Sequence, residues 1–97
     1  MDVSIIIVNY NTANLLKDCI NSIIEKTKEI SYEIIISDNA SKDDSIQMLK
    51  SEFSDVIVIE NSENLGFGKA NNKALEIAKG KYIFYLNSDT LLLNNAV

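Results

Sequence analysis

The sequence predicts an α/β fold of three layers, with helices on both faces of a parallel sheet built in the order β-α-β-α-β-α-β. Three observations carry that expectation. Four short runs are rich in β-branched residues, three stretches between them place apolar residues at helical spacing, and the joining segments are short. With three Gly, no Pro and no repeat or low-complexity tract, nothing reads as a linker, so residues 1–97 are expected to form one unit.

The first strand is "VSIIIVN", Val3 to Asn9, apolar on both faces as a strand buried in a parallel sheet should be. A helix follows, capped by Asn11 or Thr12, with Leu15, Leu16, Cys19, Ile20, Ile23 and Ile24 on one face. "YEIIISD", Tyr32 to Asp38, is the second strand. The second helix is expected from about Asp43 to Phe53, with Ser41 and Asp44 as a variant capping box. "VIVIE", Val56 to Glu60, is the third strand, and the turn-rich "NSENLGFG" leads to a third helix from about Gly68 to Ala78 carrying Ala70, Ala74, Ile77 and Ala78. Gly80 sits where a helix C-cap belongs, and "KYIFYLN" is the fourth strand.

Parallel strands joined by right-handed crossovers leave few topologies. In the order 3-2-1-4 of doubly wound folds, winding reverses between the first and fourth strands, and ligands bind outside the carboxyl ends of strands at such a point. The residues expected there are Asn9, Tyr10 and Asn11, Asp38, and Asn87 to Asp89.

Composition narrows the chemistry. Fourteen acidic residues against nine lysines give a net charge of −5, which argues against a general nucleic-acid or anionic-membrane binder. No His and one Cys, Cys19, remove most zinc sites, Ser/His and Cys/His nucleophile arrangements and any internal disulfide. The cysteine usage fits a reducing compartment, and the N-terminus has neither signal-peptide nor membrane-span character, so a cytoplasmic location is expected.

A dinucleotide site needs a Gly-rich turn after the first strand, whereas "NYNTAN" has no Gly; Tyr10 suits packing against a flat base instead. Asp38 either accepts hydrogen bonds from a nucleoside or, with Asn39, only forms the turn before the second helix. Asp43 and Asp44 are most simply explained by the helix dipole. Gly66 and Gly68 allow a sharp turn, and Lys69 beside them is either solvated or faces a diphosphate. Asp89, two residues after Asn87, offers oxygen to a hard divalent cation, Mg2+ or Mn2+, that substrate phosphates would help to hold.

Four ordered segments, "VSIIIVNYN", "IIISDNASKDDS", "NLGFGKANNKAL" and "GKYIFYLNSDT", resemble the family 2 glycosyltransferases of GT-A fold, and the resemblance spans essentially the whole chain. It implies a site for a nucleotide-diphosphate sugar, UDP- or dTDP-linked. Val8, Asn9, Tyr10, Asn11, Asp38, Asn39, Gly66, Gly68, Lys69, Asn72, Asn87 and Ser88 would line that site, and Asp89 would hold the metal bridging the phosphates. The implied reaction is transfer of the sugar, with inversion, to a hydroxyl of a glycan or lipid-linked acceptor.

Two departures from the family pattern qualify this. Asn87-Ser88-Asp89 replaces the usual Asp-x-Asp, a variant similar to the rhamnosyltransferase-like branch. The family's acceptor-binding half and general base come later than Val97, so the chain is expected to be the N-terminal, donor-binding part of a longer enzyme, inactive by itself. The full-length protein would then act in the cytoplasm or at the inner face of the membrane. Uncovered surfaces on such a part also make self-association an expectation. The competing reading is a noncatalytic α/β nucleotide-binding or signalling module; receiver-like modules, however, need paired carboxylates after strand one, and "VNYN" has none.

Overall fold

Ile5, Ile6 and Ile7 are consecutive and all fully buried, which a strand can achieve only if both faces of its sheet are covered. Burial of each contributes about 1.5–3 kcal/mol relative to exposure. In this computed structural model, which describes residues 1–87, they lie at the centre of a four-stranded sheet. The elements are β1 Val3–Asn9, α1 Ala13–Lys26, β2 Tyr32–Asp38, α2 Ser45–Glu52, β3 Ile57–Glu60, α3 Gly66–Leu75 and β4 Tyr82–Asn87. All pairings are parallel and the strand order is β3-β2-β1-β4, as the sequence predicts.

The alternation of β1 divides the core. Ile5 and Ile7 pack with Leu16, Cys19, Ile20 and Ile23 of α1, Met48 and Leu49 of α2, and Leu86 of β4. Ile6 packs on the opposite face with Ile35, Ile59, Ile83 and Ala74 of α3. Helices α1 and α2 therefore cover one face and α3 the other, giving three layers. Ala70 and Ala74 are fully buried, and such small side chains let α3 approach the sheet closely.

Several sequence expectations shift. Leu15 and Ile24 are each 48% exposed, because the buried stripe of α1 runs through Ala13, Leu16, Cys19, Ile20 and Ile23 and these two flank it. Helix α3 begins at Gly66 rather than Gly68 and ends at Leu75, leaving Ile77 beyond it and exposed.

Gly80 is not the helix C-cap. A Cβ there would lie 2.4 Å from the backbone nitrogen of Ser4 and 2.6 Å from the carbonyl carbon of Val3, so the position is glycine for want of space. The Gly80 N–H donates to Ser4 Oγ at 2.8 Å, and Ser4 Oγ donates to Glu33 Oε2 at 2.6 Å. Lys79 N–H donates to the same Glu33 oxygen at 2.7 Å, so the chain entering β4 is fastened to β1 and β2 at the edge opposite the site described below. Among the described residues, no helix is long and apolar enough to cross a membrane.

Candidate functional site

Strands β3, β2, β1 and β4 end, in spatial order, at Glu60, Asp38, Asn9 and Asn87. Asp38 pairs with both Glu60 and Asn9, and Asn87 with Val8, so polar residues stand along one carboxyl edge. The connections from β1 and β3 leave toward opposite faces, so the winding reverses between β1 and β4, the position at which folds of this kind bind ligands.

Asp38 is 1% exposed and already bonded at both oxygens. Its Oδ1 accepts from Asn9 Nδ2 at 2.8 Å and from Ser41 Oγ at 2.7 Å, while Oδ2 accepts from Ser41 N–H at 2.9 Å. The turn-forming role is thus realised, and a carboxylate with about four acceptor sites keeps one position, on Oδ2, for a further donor. Asn9 is fully buried; the Asp38 carboxylate, which only accepts, fixes its Nδ2 toward Asp38, and its Oδ1 accepts from Thr12 Oγ1 at 2.6 Å.

The Tyr10–Asn11 turn is tied to the same knot. Asn11 takes φ 53°, a left-handed conformation that Asn tolerates better than most residues. Its N–H donates to Ser41 Oγ at 2.9 Å, and its Oδ1 accepts from Lys42 N–H at 2.7 Å. Tyr10 is left 44% exposed directly beyond the buried Asn9.

The predicted capping box does not form. Asp44 makes no side-chain cap bond to α2, and Ser41 Oγ is engaged by Asp38, Asn9 and Asn11 instead. Asp43 does the capping for two helices at once: Oδ1 accepts from Ser45 N–H at 3.0 Å at the start of α2, and Oδ2 from Ala13 N–H at 3.1 Å at the start of α1. Neither Asn11 nor Thr12 caps α1 with its side chain; Thr12 stands at the N-cap but donates to Asn9.

Burial by itself would raise the Asp43 pKa, but the hydrogen bonds from Ser45 and Ala13 outweigh it and hold the carboxyl below its ordinary value. A depressed folded-state pKa gives stability that is present above the unfolded value near 3.9 and lost as pH falls through the folded one. Asp43→Ala is therefore expected to cost about 1 kcal/mol at neutral pH, reduced by solvent screening at this exposed position. That difference should begin to shrink as the pH falls below about 4 and be lost only below the depressed folded-state value, as urea titrations at neutral and acidic pH would measure.

Asn39 joins the network to α3. It is 3% exposed; its Nδ2 donates to Gly66 O at 3.3 Å, and its Oδ1 accepts from Asn61 Nδ2 at 3.2 Å and Leu65 N–H at 3.3 Å. Gly66 sits at φ 80°, and its N–H donates to Asn64 Oδ1 at 2.9 Å. Lys69 and Asn72 do not enter this network: both are exposed, and they line a shallow depression with Leu65, Lys73 and Glu76. Gly68 lies within α3, with open space where a side chain would project.

The structure thus brings together Asn9, Asn11, Asp38, Asn39 and Gly66, with Tyr10 and Val8 beside them. Asn87 ends β4 next to Val8, while Ser88 and Asp89 lie outside the described residues. Ser41, Thr12 and Asn61 were missed as parts of this edge; a polar residue directly after a strand was the available signal for Asn61. Among the described residues, no group of three or more His, Cys, Asp or Glu is arranged to hold a metal.

Known proteins share this fold. The chain is 39% identical, over all of its length, to a poly(ribitol-phosphate) beta-glucosyltransferase of Bacillus spizizenii, and covers 16% of that protein. It is 41% identical over 90% of its length to the Escherichia coli UDP-Glc:alpha-D-GlcNAc-diphosphoundecaprenol beta-1,3-glucosyltransferase WfaP, covering 35% of it. The chain therefore spans about a third or less of these relatives. Among solved structures, S. aureus TarS 1-349 in complex with UDP superposes with a TM-score of 0.87 at 26% identity, over 98% of this chain and 29% of TarS 1-349. The mannosyltransferase PcManGT of Pyrobaculum calidifontis, in complex with GDP-Man and Mn2+, gives 0.84 at 25% identity over 96% of this chain and 29% of its own. Residues 4–97 match the profile of Glycosyl transferase family 2, and on this GT-A sheet, with its polar carboxyl edge, the chain belongs to that family.

Proposed function

We propose that this chain forms the donor-binding part of a transferase that moves a sugar from a nucleotide-diphosphate sugar to an acceptor hydroxyl. The observation that carries the reading is the convergence of Asn9, Asn11, Asp38 and Asn39, with the exposed Tyr10, at the edge where the winding reverses. In this reading Tyr10 lies against the base, and Asp38 Oδ2 accepts from the base or ribose. Lys69, exposed one turn into α3, balances diphosphate charge in an acidic chain.

A divalent ion, Mg2+ or Mn2+, would rest on Asp89 with the amide oxygen of Asn87 and the donor phosphates. Oxygen donors of this kind fit hard cations, and few carboxylates suffice when phosphates complete the shell. When bound, the ion would neutralise charge on the diphosphate leaving group. Solved relatives in complex with UDP, UDP-GlcNAc, or GDP-Man and Mn2+ support a nucleotide-sugar donor and a metal.

For the donor, the glucosyltransferase names among the relatives favour a UDP-linked hexose over dTDP-rhamnose, although Asn87-Ser88-Asp89 resembles the rhamnosyl branch. In this reading the acceptor is a glycan or lipid-linked hydroxyl, met in the cytoplasm or at the inner membrane face. Inversion at the anomeric carbon rests on family resemblance, and no described residue is assigned as the base.

The test is thermal stability with UDP or dTDP and Mn2+. Ligand at 100 times its Kd should stabilise the protein by about 2.7 kcal/mol, and Asp89→Ala should remove most of the metal-dependent part. No shift with either nucleotide, and no effect of Asp89→Ala, would overturn the reading.

A further inference from the structure

The nucleotide-site reading above gives Asp38 a ligand contact but says nothing of what aims it. Ser41 does so with both of its polar groups. A serine hydroxyl has one proton and two acceptor positions. Asn11 N–H approaches its oxygen at 2.9 Å and Asn9 Nδ2 at 3.2 Å; both are pure donors and fill the acceptor positions. The hydroxyl proton is left with one destination, Asp38 Oδ1 at 2.7 Å, while Ser41 N–H takes Oδ2 at 2.9 Å.

Ser41 is not engaged at the α2 terminus, which Asp43 caps. The preceding Ala40 is held at φ 61°, a left-handed conformation that L-residues rarely adopt, at the turn that returns Ser41 to Asp38.

We infer that Ser41 is a positioning residue of the nucleotide site: it clamps both oxygens of Asp38, leaves one acceptor position on Oδ2 untaken, and locks the Tyr10 turn to the same carboxylate. Base stacking at Tyr10 and hydrogen bonding at Asp38 then belong to one preformed unit. The inference rests on the proposed donor site.

The experiment is a double-mutant cycle read by calorimetric titration of UDP with Mn2+ into the protein, comparing wild type, Ser41→Ala, Asp38→Asn and the pair, with Ser41→Thr as the conservative variant. Ser41→Ala should weaken UDP about tenfold or more, the scale of one hydrogen bond to a charged group, and Ser41→Thr should recover most of it. In the Asp38→Asn background, Ser41→Ala should change affinity by less than about twofold, because its effect passes through the carboxylate. If Ser41→Ala does not fold, Ser41→Cys, with a weak donor of similar size, carries the same comparison. Unchanged UDP affinity in Ser41→Ala beside a loss in Asp38→Asn overturns this inference alone, as do additive effects. Failure of wild type to bind either UDP or dTDP, or no effect of Asp38→Asn, overturns the donor-site reading and this inference with it.

Discussion

Asp38→Asn should weaken UDP binding by at least about tenfold and also lower Tm by about 10 °C, because the substitution strikes the proposed ligand contact and a structural knot together. The carboxylate takes donors from Asn9 Nδ2, Ser41 Oγ and Ser41 N–H. An amide has one oxygen, so whichever way it turns, its NH2 faces a donor that now goes unpaired in a buried site. Hydrogen bonds to charged groups contribute about 1.5–3 kcal/mol each, and a domain of this size loses about 4–8 °C per kcal/mol. Melting curves with and without UDP separate the two losses. Full stability with lost affinity would mean that the knot is dispensable; lost stability with unchanged affinity per folded molecule would mean that Asp38 only shapes the turn.

The second large effect lies at the opposite edge of the sheet. Gly80→Ala should destabilise the fold by about 3 kcal/mol, at the upper end of overpacking costs, because the new methyl meets main chain that cannot swing aside. The atoms in question are the Ser4 nitrogen at 2.4 Å and the Val3 carbonyl carbon at 2.6 Å. Displacing them would also strain the bonds from Gly80 N–H to Ser4 and from Ser4 to Glu33. Gly68→Ala is the control: it has open space within α3, and replacing a helical glycine should gain up to about 1 kcal/mol. Urea midpoints at constant m-value would measure both, and a neutral Gly80→Ala would show that β1 and the β4 approach can part without cost.

Much of this was legible in one dimension. "VSIIIVN" and "YEIIISD" announce buried parallel strands because residues on both faces are apolar, and their partners follow once crossovers are right-handed. The strand order and the grouping of Asn9, Asn11 and Asp38 at one edge follow on those grounds. Ser41 was not: a Ser-x-x-Asp pattern before a helix looks like a cap, and local sequence cannot say that a strand-end carboxylate will capture the hydroxyl first. Gly80 misled in the same way, since a glycine after a helix fits a C-cap as well as a close approach to a distant strand.

By itself, the sequence determined the elements, their order and the edge on which polar residues gather, because periodicity and strand-end chemistry are local properties of the chain. Tertiary structure alone decided the hydrogen-bond partners. Asn9 and Asn11 bond to Asp38 and Ser41 across separations of 29 to 32 residues, and only the parallel register of β1 on β2 brings them within 2.8–3.2 Å. A donor with several acceptors in reach takes the one that leaves fewest buried groups unpaired, and that choice is settled by the packed fold as a whole.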